Sequence, residues 1–347
     1  MKTVDLTKTG GGKPPSDLHY EALSGKEGLL TQALWEQVFS EDTEEFLRYY
    51  FSEKITNARI HVLKDDNGWV VSMVHANPYD VMIHGVRRRA YYIVGVATSE
   101  PYRHRGCMAF LLQKAVLRAK SEGCPFVFLM PADAAIYEPF GFRYAGQHSI
   151  WAQSAHLKER MMRELPSFSD AGSLRLSAYS SSDTVRLRVS AYCSSDAGVL
   201  AAYAEKTLAE RYDTYCVHDE AYFERLSREL ASENGGIYLL WRECEEARKD
   251  MIASKQAGKE EHTDIGELMQ AEKQVTGEEH TDAEKRTNDT LCGYFCCACE
   301  GEEYLQEVIV DGEAEALFYE KSREERIMFL SLEGACAYGR TYFPEMV

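Results

Sequence analysis

Apolar and polar positions alternate from Asn57 onward in runs broken by turn sequences. In "ARIHVLKDDNGWVVSMVHANPYDVMIHGVRRRAYYIVGVAT" the β-rich runs stop at "DDNG" and "HG", which predicts antiparallel hairpins ending in a strand over Tyr91 to Thr98. The period then changes. Leu112, Ala115, Val116 and Ala119 recur at i, i+3, i+4 and i+7, with Gln113, Lys114, Arg118 and Lys120 between them. That spacing predicts an amphipathic helix, stopped near Gly123 and Pro125. "FVFLM" follows as a short buried strand, and "PADAAIYEPFGFRYAG" as a helical turn closed by Pro139 and Gly141. Antiparallel strands followed by strand, helix and strand predict an α+β fold, a mixed sheet with a helix packed across it.

The second half is less regular. A near-repeat thirteen residues apart, "LRLSAYSSSD" from Leu174 and "LRVSAYCSSD" from Leu187, reads as duplicated linker followed by the start of a new domain. "DEAYFERLSRELASENGG" predicts a helix capped by Asp219 and stopped at Gly235–Gly236. "IYLLWR" and "CGYFCCACE" predict two strands of a second sheet. Between them, Glu243 to Thr290 contains no aromatic residue and carries its own repeat, "ASKQAGKEEHTD" and "AEKQVTGEEHTD". With 14 acidic and 7 basic residues this insert is expected to be solvated and weakly ordered. His262 and His280, one per polar repeat, are weak signals for a metal. The expected organisation is a tail over 1–25, a first domain over 26–150, a linker over 151–186, a second domain over 187–312 with its insert at 243–290, and a C-terminal segment over 313–347.

Composition narrows the function classes. The chain has 347 residues, 45% of them hydrophobic, so packed domains are expected rather than disorder. No apolar run approaches the ~18 residues of a membrane span, and the first residues lack the apolar segment of a signal peptide. A soluble, cytoplasmic protein with no membrane partner is expected. Fifty-six acidic against 39 basic residues give a net charge of −17, which argues against nucleic acid and is compatible with a cationic small molecule. Cys292, Cys296, Cys297 and Cys299 are the densest of the ten cysteines. Strand alternation sends Cys296 to one face and Cys297 and Cys299 to the other, so they read as small core residues; no metal is expected.

Against that acidity, "YRHRGCMAFLL" at 102 to 112 concentrates positive charge at one glycine. A strand running through a glycine turn into a helix can hold an anion, because the first helical N–H groups have no internal partner and the helix dipole adds positive charge. Arg103, His104 and Arg105 add more, and Gly106 lets the backbone approach a ligand. The spacing fits neither a P-loop nor G-x-G-x-x-G. On these grounds the turn is a phosphate or pyrophosphate cradle, with an ordinary basic surface turn as the alternative.

"VATSEPYRHRGCMAFLL" resembles motif A of the GNAT N-acetyltransferases, R/Q-x-x-G-x-G/A, and "ADAAIYEPFGF" resembles the motif that follows it in that family. "VSMVHANPY", "YYIVGVAT…YRHRG", "FLMPAD…IYEPFGFRY" and the terminal "FPEMV" look like the bacterial acetyltransferases of the enhanced intracellular survival (Eis) type. The strong resemblance covers roughly Trp35 to Tyr144. It implies a tandem GNAT fold whose second domain is degenerate, since no second R-x-x-G-x-G/A occurs after Leu187. Two departures stand out. Met108 occupies a position usually held by a small residue, and too few residues follow Asp311 for a full sterol-carrier-like third domain.

The resemblance implies transfer of an acetyl group from acetyl-CoA to an amine. Val96 and Thr98 would contact the pantetheine arm and thioester, and Arg103, His104, Arg105, Gly106, Cys107 and Met108 would hold the pyrophosphate. Tyr137 sits where the family places its general acid, against the alternative of a packing tyrosine. The α-carboxylate of Val347 would assist amine deprotonation, against a frayed terminus. The expected acceptor is a cationic small molecule such as an aminoglycoside or polyamine; a protein lysine acetyltransferase and a non-catalytic acyl-CoA sensor are the alternatives. Members often assemble, so a homo-oligomer is compatible. Trp35, Phe39 and Tyr50 are pocket candidates by position alone, and each is expected to be core.

Overall fold

The computed structural model describes residues 13–164, 173–179, 184–242, 289–298, 304–311, 314–333 and 338–343. The first half opens with β1 (His19–Ser24), then α1 (Gln32–Val38) and α2 (Glu44–Ser52). Thr43 starts α2 by accepting a hydrogen bond from the Phe46 amide, and Glu44 and Glu45 lie in its first turn, where the helix dipole favours acid. Three antiparallel strands follow: β2 (Arg59–Lys64), β3 (Val70–Ile83) and β4 (Val86–Thr98). Their turns fall at the two sequences the pattern marked. Helix α3 (Cys107–Ser121), β5 (Phe126–Leu129), α4 (Ala134–Tyr137) and β6 (Arg143–Gln153) complete this half. Leu112, Ala115, Val116 and Ala119 are all buried on α3, so the periodicity identified its inner face.

The second half contains α5 (Ala155–Glu164), β7 (Ser173–Tyr179), β8 (Thr184–Ala191), α6 (Ala197–Arg211), β9 (Thr214–Cys216), α7 (Glu220–Ser232), β10 (Gly236–Arg242), β11 (Thr290–Ala298), β12 (Tyr304–Val310), β13 (Phe318–Ser331) and β14 (Thr341–Tyr342). Asp219 caps α7 through the Tyr222 amide, as its sequence implies. The stop differs: Asn234, not a glycine, takes the left-handed conformation at φ 56°.

All strands join one sheet in the order β1-β2-β3-β4-β5-β13-β6-β12-β11-β10-β8-β7, with β9 pairing β3 and β14 off that path. Two expectations change here. Residues 151–186, read as linker, hold the end of β6, helix α5 and strand β7; Leu157 of α5 is fully buried against the second half's core. The segment after 313, read as a tail or shortened domain, supplies β13, which lies antiparallel between β5 and β6 and closes the first half's sheet.

Cys296 packs on the α6–α7 side of the second half, with Tyr294, while Cys297 packs with Phe295 on the α5 side. Cys292 joins Cys297's side because a bulge between Leu240 and Trp241 resets the alternation. Cys299 and most of the 243–290 insert, with His262 and His280, lie outside the described residues. Among those described, no helix is long and apolar enough to cross a membrane.

Candidate functional site

Strand β4 carries the site because it parts from its neighbour. It pairs with β5 in parallel only at Tyr91–Val127 and Tyr92–Phe128. From Ile93 to Thr98 its β5-facing edge has no strand partner among the described residues. The cause is local: the β3–β4 register slips between Met73 and His75, so one extra residue of β4 bulges out near Gly95. Gly95 has φ 58°, a left-handed conformation that glycine adopts without steric cost. The result is a wedge between two strands, edged by backbone N–H and C=O groups of β4. Val96 turns its side chain toward α3, while Thr98 is held by a 2.8 Å hydroxyl contact with Ser72.

The charged turn sits at the open end of the wedge. Residues 103 to 106 are exposed, and both His104 (φ 61°) and Gly106 (φ 81°) are left-handed. Gly106 is the N-cap of α3, and a methyl group added there would meet nothing within 4 Å. Backbone conformation, together with open space above the turn, therefore explains this glycine. The first intrahelical bond runs from Phe110 N–H to Gly106 O, leaving the amides of Cys107, Met108 and Ala109 without helical acceptors. Arg103 Nε donates to Thr98 O at 3.1 Å, tying the turn back to β4. Arg105 pairs with Asp17 and lies 5.6 Å from the Tyr102 ring. Met108 packs inward against the core, so its bulk is directed away from the turn. Cys107 is buried, and burial raises its thiol pKa, so its contribution at this place is its backbone amide.

Tyr137 closes the same face. Asp133 caps α4 by accepting from the Ala135 amide, and Gly141 (φ 92°) ends the following turn, so the tyrosine is held at the end of a rigid bend. Its ring meets Phe142 edge-on at 5.8 Å and joins the cluster that includes Val96, Tyr102 and Met108. Burial pushes its phenol up to about 12. A phenol in this state is a proton and hydrogen-bond donor throughout the ordinary pH range.

The structure thus brings Val96, Thr98, the 103–108 turn and Tyr137 around one wedge. Val347 lies outside the described residues. Trp35 and Tyr50 are core: Trp35 Nε1 donates to Asp42 at 2.6 Å, and Tyr50 is fully buried beside His75. Phe39 is half-buried against the same cluster. Sequence reasoning passed over Gly95, Ser72 and Asp17. The glycine inside an otherwise β-branched strand was the one available signal for the bulge.

Residues 24–145 match the acetyltransferase (GNAT) domain model, so the chain carries a GNAT acetyltransferase domain. No match was found among curated protein sequences. Among solved structures, the chain is similar in fold to an Enterococcus faecalis protein described as a probable N-acyltransferase (12% identity, TM-score 0.56, 91% of this chain and 72% of that one). It is also similar to a GCN5-related N-acetyltransferase from Kribbella flavida (15%, 0.55, 91% and 72%) and to one from Anabaena variabilis (13%, 0.55, 90% and 73%).

Proposed function

We propose that this chain moves the acetyl group of acetyl-CoA directly to a primary amine of a cationic small molecule, aminoglycoside- or polyamine-like. One observation carries the reading: the free edge of β4 and the first amides of α3, which lack helical acceptors, open onto the same wedge, with a half-buried phenol beside it. The residues fit coenzyme A. A diphosphate would accept hydrogen bonds from the amides of residues 107 to 109 and charge from Arg103, His104 and Arg105, over a glycine with open space above it. The pantetheine arm would lie along Val96 and Thr98, its amides replacing the missing strand. A β4 N–H would stabilise the oxyanion of the attacked thioester.

Tyr137 acts on the departing sulfur. With its pKa near 12 it is a poor full donor to a free thiolate of about 8.5, an uphill gap of about 5 kcal/mol. The burial that raises the phenol also raises the basicity of a thiolate held against it. The tyrosine therefore stabilises the leaving sulfur by a hydrogen bond, and the proton moves as the C–S bond breaks. The Val347 carboxylate is proposed to orient the substrate ammonium, which passes a proton to water before the free amine attacks the thioester. Phe343, 4.9 Å from Phe128, anchors the preceding segment at the rung where β4 and β5 part.

The second half is proposed to be a degenerate copy of the first, as in the Eis-type enzymes the sequence resembles. Apart from the short β9 between α6 and α7, the order β8, α6, α7, β10, β11, β12 repeats β1, α1, α2, β2, β3, β4, and the two sets run in mirrored order across the sheet. Calorimetric titration with acetyl-CoA, followed by thiol release across a panel of amines, tests the proposal. No uptake of acetyl-CoA would overturn it.

A further inference from the structure

A cleft of about 620 Å³ opens far from the charged turn, where β6 and β12 part after their single rung at Trp151–Leu305. Three strands, β5, β13 and β6, separate it from the β4–β5 wedge, about 14 Å at ordinary strand spacing. Its lining includes Trp151, Arg211, Tyr212, Glu307, Arg340 and Tyr342.

Glu307 is buried, and both its oxygens are occupied: Oε1 by His218 Nε2 at 2.8 Å and the Tyr342 hydroxyl at 3.1 Å, Oε2 by the Tyr222 hydroxyl at 3.3 Å. The other ring nitrogen of His218 lies 2.6 Å from Cys216 O, which only accepts, so Nδ1 carries a hydrogen. The contact with Glu307 then needs a further proton, on Nε2 or on the carboxyl. In either form the pair is neutral. What remains is Arg211, whose guanidinium donates to the Val310 carbonyl at 2.7 Å and has no carboxylate partner among the described residues. Arg340 stands at the rim, 3.6 Å from Asp213 and mostly exposed. The walls are aromatic: Tyr212 and Tyr342 lie 5.0 Å apart, with Trp151 also lining the cleft.

We infer that this cleft is a second small-molecule site, for a carboxylate or phosphate carried on a flat ring. Its oxyanion pairs with Arg211, assisted by Arg340, and its ring stacks on the aromatic walls. A cation is disfavoured because Glu307, the one carboxylate among the described lining residues, is already engaged by His218, Tyr222 and Tyr342.

Benzoate and phenyl phosphate serve as probes of the two oxyanions, with benzyl alcohol as the neutral control, each titrated into the full chain by calorimetry and tryptophan fluorescence. Binding of at least one oxyanion probe is expected, stronger than benzyl alcohol, with quenching lost in Trp151→Phe. Arg211→Met should weaken it by about tenfold or more. Saturating acetyl-CoA should leave it in place, which separates this site from the wedge whether or not the chain transfers acetyl groups. No binding of either probe, unchanged affinity in a folded Arg211→Met, or displacement by acetyl-CoA would each overturn the inference. If Arg211→Met does not fold, Arg340→Met on the exposed rim takes its place: weaker binding supports the site, and unchanged binding overturns it.

Discussion

Trp35 packs against Gly95, so close that a methyl group on the glycine would overlap Trp35 Cζ3. The indole is itself fixed by its bond to Asp42. The bulge that opens the wedge is thus held from behind by a buried ring. Gly95→Ala combines that clash with a left-handed backbone, and should cost at least about 2 kcal/mol. Denaturant unfolding measures the loss, and the KM for acetyl-CoA should rise with it.

Tyr137→Phe should lower kcat by about 10²-fold while acetyl-CoA affinity stays the same. The phenol titrates near 12, so the wild-type rate should show no descending limb from this group below about pH 11. A rate profile that falls near pH 9 would assign another acid.

Asp17 holds Arg105 and so competes with a diphosphate for the same guanidinium. Asp17→Asn should tighten acetyl-CoA binding at low salt, and the gain should fade as ionic strength rises. Calorimetry at two salt concentrations reads both effects.

His61 and His75 are buried on opposite faces of the sheet, and burial lowers them to about 4 and about 3. Unfolded, both titrate near 6.5. Because the folded values are depressed, the stability of the neutral forms is complete above pH 6.5 and is lost as pH falls toward 4. The loss there is about 3 kcal/mol for each histidine. Urea unfolding between pH 7 and 4 should show this decline, and His61→Gln should remove roughly half of it.

Lys54 and Glu229 form a 2.8 Å buried ion pair joining the turn after α2 to α7, and the Tyr49 hydroxyl donates to the same carboxylate. Glu229→Ala leaves an uncompensated buried ammonium and should destabilise by about 3–5 kcal/mol. The double change Lys54→Met with Glu229→Leu should restore much of that, as thermal unfolding would show.

What the sequence revealed was local. The hairpins at "DDNG" and "HG", the inner face of α3, the Asp219 cap and the basic turn all depend on residues within a few positions of each other, so pattern and propensity suffice. The course of β13 does not. "FYEKSREERIMFLS" carries six charged residues, three acidic and three basic, and pairs with strands more than 160 residues away. Its place between β5 and β6 leaves no mark in its own composition. The same holds for α5, whose Leu157 is buried only because the second half meets it there. At the wedge, the turn and Tyr137 were legible as motifs, whereas position alone could mark Trp35 and Tyr50 only as pocket candidates beside their expected core role, because aromatic residues look alike in core and pocket; both are core.

The insertion of β13 also sets the order in which this protein can be made. During synthesis the acetyl-transfer domain emerges with β5 and β6 lacking the strand that belongs between them, and it stays so until more than 150 further residues have left the ribosome. For that interval two bare strand edges face the cytosol of whatever host makes the chain, a condition that invites pairing with the wrong partner. A shortened chain ending before Phe318 would carry every residue of the wedge and still be prone to aggregate, so trimming this enzyme to its recognisable domain is a poor route to a soluble fragment.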